Sequence, residues 1–231
     1  MLPASGPRAP AEREGEHVIL ILLGPPGAGK GTQAKLLAST LSVPHISTGD
    51  MFRDHKARRT EIGNKVQAIM DSGGLVTDDI TNAMVDERLA RADVLPGCIL
   101  DGYPRTVGQA EHLDQLLARL GRTVGRAISY EVSEEALVDR IGGRRSCPSC
   151  GAVYHLTQNP PRRVGTCDKD AVPLVQREDD KPDNVRRRMQ EYAAKTAPLK
   201  AYYARRDQLI ELDGLGAPDA ILAETRRRLG R

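Results

Sequence analysis

A glycine-rich loop between an apolar run and a helical pattern limits the possible folds most strongly. The run His17–Leu23 is short, rich in isoleucine and leucine, and followed by glycine, which predicts a strand buried on both faces. Apolar residues then recur at helical spacing over Lys30–Leu41, which predicts a helix. A loop that follows a buried strand, carries a lysine and opens a helix has the context of a phosphate-binding loop.

The loop itself, Gly24–Thr32, reads GPPGAGKGT and matches the pattern G-x-x-x-x-G-K-[ST] with one shift. Gly31 follows the lysine where the strict pattern has serine or threonine, and the hydroxyl comes one residue later. Glycines allow consecutive backbone N–H groups to turn towards phosphate oxygens, and the helix directs its positive end at the same place. Lys30 adds a charge where negative charge shifts during transfer. This context disfavours the alternative of a plain glycine-rich turn.

Three further short apolar runs, separated by helical patterns, predict the rest of a sheet: Gly97–Leu100, Arg126–Val132 and Gln208–Leu212. Alternation of strands and helices predicts an α/β fold of the P-loop NTPase type, with a parallel sheet and helices on both faces. Cys98 lies in the first of these runs, so we interpret it as a core residue.

Two stretches do not follow this alternation. Asp50–Val76 is polar and mostly helical in pattern. Gly143–Asp180 is rich in glycine, proline, cysteine and arginine, and offers only short strand-like pieces such as Ala152–Leu156. The second stretch therefore resembles an inserted subdomain, which has too few apolar residues to build a core and needs a staple.

Three of the four cysteines stand at metal-ligand spacing within that second stretch. Cys147-x-x-Cys150 is followed, after sixteen residues, by Cys167-x-x-Asp170. This is zinc-ribbon spacing with aspartate in place of the fourth cysteine. Four protein ligands leave no open position, so the sequence predicts a structural Zn²⁺ rather than a catalytic one.

His155 and Asp168 are rivals for the fourth ligand position, and Asp170 is preferred because it completes the second pair. Three unlinked thiols are the plain alternative to a metal site. We find no secretory signal pattern in the sequence, so this spacing favours zinc and a reducing compartment over disulfides. We therefore expect a cytoplasmic protein.

Two further segments carry groups suited to a second phosphate. In the first, Ile46–Arg53, a short apolar end runs into a helix start, and the plain alternative to a binding role is that Ser47, Thr48 or Asp50 caps this helix. Asp101 and Arg105 follow a buried strand, at the edge where open α/β sheets place their ligands. Asp101 suits the water shell of Mg²⁺, and Arg105 can bind a phosphate with two hydrogen bonds. A strand-end cap and a surface ion pair are the respective alternatives.

Taken together, the motifs in this sequence resemble those of the adenylate kinase family in their order, their residues and their spacing. The segments are GPPGAGKGT at Gly24–Thr32, ISTGDM at Ile46–Met51 and LDGYPRT at Leu100–Thr106. Further similar segments are Gly143–Arg145, Arg177–Asp180 and Val185–Arg188. The similarity runs from Val18 to about Gly230, and the length of the middle insert resembles that of long-lid members with a zinc site.

The resemblance implies transfer of the terminal phosphate of ATP to AMP, giving two ADP, with Mg²⁺. It implies an ATP site in which the loop holds the phosphates and Arg144 contacts them from the lid. The other residues of this site enclose the adenine. The implied ATP-binding residues are Gly27, Ala28, Gly29, Lys30, Gly31, Thr32, Arg140, Arg144, Val153, Tyr154 and Gly216. The implied catalytic residues are Lys30, Asp101, Arg105, Arg144, Arg177 and Arg188.

On the AMP side, the resemblance implies that Gln109 hydrogen-bonds the adenine edge and that arginines take the phosphate. Arg177 and Arg188 resemble lid arginines that bridge the phosphates of both substrates. Gly74 stands where the family frequently has lysine, and backbone contacts would survive that change. The implied AMP-binding residues are Thr48, Arg53, Gly74, Leu75, Val76, Gly102, Tyr103, Pro104, Arg105, Gln109, Arg177 and Arg188. The resemblance also favours a hydrogen-bonding role for His155, because similar kinases without zinc have histidine there.

The resulting domain prediction has a core of residues 17–46, 77–142 and 181–231, an AMP-binding insert at 47–76 and a lid insert at 143–180. Residues 1–16, rich in proline, alanine, glutamate and arginine, are predicted to be a disordered extension. The net charge of +3 is too small to indicate nucleic acid, and the longest apolar run is too short to span a membrane. We expect a monomer that binds ATP, AMP and ADP, without nucleic acid or membrane partners.

Two alternatives stay open at this point. One is another P-loop kinase, such as a UMP/CMP kinase, since Thr48 with Gln109 favours adenine only weakly. A GTPase is disfavoured because no Asn-Lys-x-Asp motif occurs. The second alternative treats the cysteine-rich stretch as a module that binds nucleic acid or protein. It predicts a basic surface without turnover, and it leaves the phosphate loop unexplained.

Overall fold

The computed structural model describes residues 18–231, so the predicted extension 1–16 and His17 lie outside the described residues. Five parallel strands form the central sheet in the order β2-β3-β1-β4-β7, and β5 pairs with β6 in a small antiparallel sheet. The strands are β1 Val18–Leu23, β2 His45–Ser47, β3 Gly97–Asp101, β4 Arg126–Glu131, β5 Arg144–Ser146, β6 Val153–His155 and β7 Leu209–Asp213.

The central strand β1 is buried on both faces. Ile19, Ile21 and Leu23 pack into the hydrophobic cluster on one side of the sheet. Leu20 and Leu22 pack into the cluster on the other side. This alternation, expected of a parallel strand covered by helices on both faces, confirms the sequence prediction for this run.

Helices connect the strands and cover the sheet. They are α1 Lys30–Leu41, α2 Thr48–Ala57, α3 Glu61–Asp71, α4 Asp78–Leu89, α5 Val107–Arg119, α6 Glu134–Gly142, α7 Pro182–Glu191, α8 Pro198–Ala204 and α9 Pro218–Arg228. Short 3-10 turns cover Ala92–Val94 and Glu178–Asp180, and a π-helical turn over Tyr192–Thr196 joins α7 to α8. No helix among residues 18–231 has both the length and the apolar character needed to cross a membrane.

The polar stretch 47–76 folds as a helical pair, α2 and α3, with a small hydrophobic core that it shares with α4. Phe52 and Val66 form this core with Val76 and Met84. An ion pair of 2.5 Å between Lys56 and Asp71 joins the two helices near their C-terminal ends. The pair thus forms a compact unit outside the alternation of strands and helices.

The stretch 143–180 contains the small sheet β5–β6 and two turns that carry the cysteines. Its hydrophobic cluster consists of Cys147, Tyr154 and Cys167, with only a few partly buried residues packed against it. Such a small core agrees with the expectation that this stretch needs an additional staple.

Candidate active site

The loop between β1 and α1 has the backbone shape that its glycines predict. Gly24, with φ +137°, turns where an added Cβ would lie 2.8 Å from the carbonyl oxygen of Tyr130, so only glycine fits. Gly29, with φ +90°, caps the N-terminus of α1. Lys30 Nζ donates to the carbonyl oxygens of Gly24 at 2.6 Å and Pro25 at 2.9 Å, so its ammonium group lies against the loop.

Burial lowers the pKa of Lys30 to about 8, and the charges of Arg105, Arg188 and Arg144 add to this effect against the opposing charge of Asp101. These residues lie far apart in the sequence, on the loop after β3, on α7 and on β5. The structure therefore brings the predicted catalytic cations to one place around Lys30. An anion in their midst would relieve their mutual repulsion.

Asp101 lies at the C-terminal end of β3, beside the loop. A Cβ at Gly31 would lie 3.4 Å from Asp101 Oδ2, so the position of the missing motif hydroxyl faces this carboxylate. His45 Nε2 lies 3.4 Å from the same oxygen. Burial favours the neutral acid, but the hydrogen bond from His45 and the charge of Lys30 prevail and lower the pKa of Asp101. Asp101 is therefore a carboxylate, as oxygen coordination around Mg²⁺ requires.

The segment after β3 holds Arg105 in place. Arg105 Nε donates to the carbonyl oxygen of Gly102 at 2.9 Å, and Thr48 Oγ1 donates to the same oxygen at 2.8 Å. Burial and the charge of Arg188 lower the pKa of Arg105 to about 10. Ser47, not Thr48 or Asp50, is the residue that caps α2, since Ser47 Oγ accepts from the N–H of Asp50. The hydroxyl of Thr48 instead ties α2 to the segment that carries Arg105.

Gln109, predicted to contact an adenine, is buried and has both polar ends paired. Its Oε1 accepts from the N–H of Arg105 at 2.7 Å, and its Nε2 donates to Asp78 Oδ1 at 2.7 Å. The other carboxylate oxygen of Asp78 accepts from Thr106 Oγ1 at 2.8 Å. In this structure Gln109 therefore positions Arg105, and only the second hydrogen of its Nε2 is left for another acceptor. Sequence reasoning missed Asp78, because no local motif connects it with residues about thirty positions later.

Asp180 is a second residue that sequence reasoning missed. Its side chain has no exposed surface and accepts from two predicted catalytic arginines. Arg144 Nε donates to Oδ2 at 2.7 Å, with a further contact from its terminal nitrogen, and Arg188 Nη1 donates to Oδ1 at 2.8 Å. Burial alone would raise the pKa of Asp180, but the hydrogen bond and charge of Arg144, with the charge of Arg188, hold it below its usual range. The sequence signal that could have identified Asp180 is the presence of an acid between the arginines of two neighbouring motifs, Arg177–Asp180 and Val185–Arg188.

Arg177 approaches the same region from the end of the lid stretch. Its Nε donates to Ser146 Oγ at 2.8 Å. Burial and the charge of Arg53 lower the pKa of Arg177 to about 10. Arg53 is itself paired with Asp50 at 2.5 Å. The charges of Arg177 and Arg53, which belong to the two stretches outside the sheet alternation, thus repel each other, and a shared anion would relieve this repulsion.

A cleft with about 530 Å³ of empty space connects the two predicted substrate sites. Its lining includes Lys30 from the loop, Leu75 from the end of the helical pair, Arg105 and Pro104 from the segment after β3, and Arg188 from α7. Tyr103 and Val76, also predicted on the AMP side, pack into hydrophobic clusters instead. Their side chains support the cleft rather than line it.

Of the residues predicted around the ATP adenine, Arg140 and Gly216 belong to segments that contact each other. Arg140 donates to the carbonyl oxygen of Gly214 at 3.0 Å, which ties α6 to the segment containing Gly216. Gly216 has φ +116° and open space around its α-carbon. Val153 is exposed, whereas the ring of Tyr154 packs between the cysteine turns. The Val153 side chain is therefore accessible to a ligand, whereas the Tyr154 ring packs inside the cysteine-rich stretch.

The candidate metal ligands converge within the lid stretch. Ligand atoms of Cys147, Cys150, Cys167 and Asp170 all lie within 4.8 Å of one another. Cys150 Sγ and Cys167 Sγ are 3.7 Å apart. Two thiolates bound to one tetrahedral zinc at about 2.3 Å each would be separated by roughly 3.8 Å. The donor set and its spacing therefore fit Zn²⁺.

Matching turns make Asp170 equivalent to Cys150. The N–H of Gly151 donates to the carbonyl of Cys147, and the N–H of Ala171 donates to the carbonyl of Cys167. Gly151 and Ala171 both have positive φ, of +68° and +55°. Each pair of ligands thus occupies the same kind of turn, with its first and fourth positions directed at a common centre.

The two rivals for the fourth ligand position are engaged elsewhere. Asp168 Oδ1 accepts from the N–H of Arg162 at 2.9 Å. His155 Nδ1 accepts from the N–H groups of Thr157 and Gln158, and its Nε2 lies 3.3 Å from the carbonyl oxygen of Asp139. His155 therefore has the hydrogen-bonding role that was expected of it.

The cations around Lys30 exceed the acids near them, and a bound polyphosphate would balance this surplus. Since the loop beneath them joins a parallel strand to a helix, the chain is a phosphotransferase of the P-loop class. A family model for adenylate kinases matches residues 22–208. The chain belongs to the adenylate kinase family, and its activity is that of an ATP:AMP phosphotransferase.

Curated relatives resemble the chain over nearly its full length. The adenylate kinase of Anaeromyxobacter dehalogenans strain 2CP-1 is 72% identical over 214 residues, which are 93% of this chain and 100% of the relative. That of strain 2CP-C is 73% identical over the same lengths. The adenylate kinase of Thermosipho melanesiensis is 49% identical over 205 residues, which are 89% of this chain and 96% of the relative.

Proposed function

We propose that ATP and AMP bind end to end in the cleft, with the transferred phosphate between Lys30 and Arg105. The convergence of Lys30, Arg105, Arg144 and Arg188 around one point carries this proposal. On the ATP side, backbone N–H groups of residues 27–32 hold the phosphates, and Arg140, Val153, Tyr154 and Gly216 enclose the base. Support comes from the loop geometry and from the open space near Gly216.

On the AMP side, Arg53, Arg105, Arg177 and Arg188 take the phosphate. Residues 74–76 and 102–104 form the walls of the AMP site, with the side chains of Val76 and Tyr103 packed behind them. Gln109 orients Arg105 and offers its remaining amide hydrogen to the adenine. The carbonyl of Gly102, which accepts from both Thr48 and Arg105, supports this assignment because it ties the start of α2 and the Arg105 side chain to the wall at residues 102–104.

We assign the stretches outside the sheet alternation to moving parts: residues 47–76 form the AMP-binding insert, 143–180 form the lid insert, and 17–46, 77–142 and 181–231 form the core. Water competes with AMP as the phosphate acceptor, so both inserts must close over the substrates before transfer. The separate hydrophobic cluster of the lid insert supports a lid that moves as a body, whereas the cluster of the helical pair includes Met84 of α4 and keeps that insert in contact with the core.

Phosphoryl transfer needs little proton chemistry from the protein. Lys30 and the arginines hold the reacting oxygens in line and neutralise the charge that spreads over them. Asp101 would hold Mg²⁺ through its water shell, where the ion neutralises phosphate charge. Asp180 keeps Arg144 and Arg188 oriented together, so these cations are in place when the phosphates arrive.

Calorimetry with a bisubstrate di-adenosine polyphosphate tests the proposal, together with a panel of AMP, UMP and CMP as acceptors for ATP. We expect one tight site per chain for the bisubstrate ligand and turnover with AMP far above that with pyrimidine nucleotides. Weak binding of the bisubstrate ligand, or a preference for UMP or CMP, would refute the end-to-end arrangement of two adenine nucleotides.

The pKa of Lys30 predicts how ATP affinity depends on pH. Because this pKa is about 8 without ligand, Lys30 loses its proton as pH rises above 8, and only the protonated form attracts phosphate. Bound phosphate raises the pKa, so the affinity for a non-hydrolysable ATP analogue should fall by up to about tenfold per pH unit between pH 8 and 9.5. Below pH 8 this dependence should disappear. Titration calorimetry from pH 7 to 9.5 measures it.

The matched control is Lys30→Arg, because guanidinium keeps its charge throughout this range. Its affinity for the analogue should be weaker at neutral pH but should not decline above pH 8. A wild-type affinity that stays flat to pH 9.5 would contradict the lowered pKa, and an equal decline in Lys30→Arg would assign the effect to another group.

For the lid we propose a structural Zn²⁺ held by Cys147, Cys150, Cys167 and Asp170. Removal of the metal by a chelator should lower the Tm by at least about 5 °C, since structural zinc contributes several kcal/mol and each kcal/mol is worth about 2–4 °C at this chain length. Below the new Tm, the protein should still turn over. Loss of all activity in a fully folded protein would argue for a catalytic metal.

Two aspartates, Asp168 and Asp170, lie in the turn that begins at Cys167. Replacing each of them distinguishes the zinc ligand from its neighbour. Asp170→Ala should lower both zinc content and Tm, whereas Asp168→Ala should retain the metal, because Asp168 bonds to the backbone of Arg162. Zinc content by emission spectroscopy and melting by calorimetry give both readouts. Equal zinc loss in the two variants would refute Asp170 as the fourth ligand.

We also propose that the enzyme works as a monomer in the cytoplasm, without nucleic acid or membrane partners. One copy supplies all the assigned binding residues, so the site needs no second chain. The thiols of the cluster suit a reducing compartment. Light scattering coupled to gel filtration should give the mass of one chain, 25.1 kDa, with and without nucleotides.

A further inference from the structure

One amide group on α7 contacts both inserts. Asn184 Nδ2 donates to the carbonyl oxygen of Asp71 at 2.7 Å and to that of Glu178 at 2.9 Å. Asp71 is the last residue of α3 in the AMP-binding insert, and Glu178 lies where the lid returns to the core. The two hydrogens of a single nitrogen thus hold the ends of two stretches more than a hundred residues apart.

Both acceptors are in positions where a hydrogen bond matters. The last four carbonyls of a helix have no partner within it, and Asp71 carries one of these at the end of α3. Glu178 opens the short turn that contains Asp180, the residue that holds Arg144 and Arg188. Loss of either hydrogen bond therefore alters the boundary of an insert. On the lid side it also alters the turn that holds Arg144 and Arg188.

Packing around Asn184 shows that the exit of the AMP-binding insert lies against this turn of α7. A Cβ added at Gly73 would lie 2.6 Å from the carbonyl oxygen of Asn184 and 3.0 Å from Arg188 Cγ. Gly73 also lines the cleft together with Arg188. Only a glycine lets the exit of the AMP-binding insert come this close to the helix backbone, since its φ is also +76°.

We propose that Asn184 is a positioning residue that couples closure of the AMP-binding insert to closure of the lid. The two hydrogen bonds can be made at once only when Asp71 and Glu178 both lie against α7, so seating one insert orients the amide for the other. Bound AMP then favours the lid position that binds ATP, and the reverse follows by thermodynamic reciprocity. Since the inserts and their ligands belong to the proposed function, this coupling rests on it.

The test measures coupling between the two nucleotides in the full-length, zinc-loaded protein. Calorimetry gives the Kd of AMP alone, of a non-hydrolysable ATP analogue alone, and of AMP at saturating analogue. In the wild type the analogue should tighten AMP binding by at least about fivefold. Asn184→Ala and Asn184→Leu, which remove both donors, should abolish most of this gain while each nucleotide alone binds within about twofold of wild type. Gln190→Ala, an exposed amide on the same helix, is the matched control and should keep the gain.

Each possible result either supports or refutes the coupling role of Asn184. A gain retained in both folded Asn184 variants, a gain lost equally in Gln190→Ala, or no gain in the wild type would overturn the coupling role. The leucine variant, which keeps the side-chain size, supplies the measurement if the alanine variant does not fold. Failure of the wild type to bind both nucleotides would instead refute the proposed function. Binding that weakens by the same factor for each nucleotide alone, with the gain unchanged, would show a merely structural residue.

Discussion

Replacement of Lys30 by alanine is expected to lower kcat by about 10²- to 10³-fold, the typical cost of removing one preorganised group that stabilises transition-state charge. Lys30 is the cation closest to the loop backbone, and its ammonium group already lies at the carbonyls of Gly24 and Pro25. Arg105 and Arg188 line the same cleft but donate to Gly102 and to Asp179 and Asp180 rather than to the loop, so they do not take its place. A coupled assay of ADP formation from ATP and AMP measures the loss.

The same variant should melt within a few degrees of wild type. Burial lowers the pKa of Lys30, which means that its charge is held at a cost in the folded state, so its removal relieves part of that cost. Lys35→Ala, an exposed lysine on the same helix, is the matched control and should keep near-normal kcat. Near-normal turnover in Lys30→Ala would refute the site, while a large fall in Tm would assign Lys30 a structural role.

Local patterns predicted the elements around the loop well. The helix Lys30–Leu41 has the predicted bounds, and the strand at Val18–Leu23 has the predicted burial on both faces. β4 ends one residue earlier than predicted and β7 is shifted by one, because strand ends depend on which neighbour continues the ladder. β2, with three residues, and the π-helical turn after α7 were not predicted, since neither is long enough to show a period.

In the site, too, local features were predictable from the sequence and long-range contacts were not. Backbone features such as the turn at Gly24 follow from residue type, and the equivalence of Asp170 with Cys150 follows from spacing. Side-chain partnerships do not, because they join residues that only the fold brings together. Asp180 lies 36 positions from Arg144, and Gln109 lies 31 from Asp78. The resemblance of the motifs identified the arginines and the glutamine, but only the structure revealed their partners, Asp180 and Asp78.

Asp180→Asn is expected to lower the free energy of unfolding by about 3 kcal/mol, the cost of breaking a buried ion pair by removing one partner. The carboxylate has no exposed surface, and the side chains of Arg144 and Arg188 are 18% and 19% exposed. The variant keeps the shape of the side chain but leaves two cations facing each other without their shared anion. Urea denaturation measures the loss, and kcat should fall at least tenfold because Arg144 loses its carboxylate partner and Arg188 is left with its contacts to Asp179.

The pH dependence of that loss has a defined sign. The pKa of Asp180 is lowered by folding, so its contribution is complete above the unfolded value near 3.8 and is lost as pH falls through the folded value. The difference between wild type and Asp180→Asn should therefore be constant from pH 5 to 7 and shrink in stronger acid. A difference that persists at the lowest pH would point to altered packing instead of charge.

Asp183→Asn provides the control three residues away. Its side chain is 93% exposed and pairs with Arg186, which is 76% exposed, so the loss should stay below about 1 kcal/mol. The two aspartates differ in burial and in what they hold, since Asp180, unlike Asp183, connects Arg144 of β5 with Arg188 of α7. If both variants lose the same stability and the same turnover, the Asp180 carboxylate does not organise the arginines, and their convergence must come from the backbone alone.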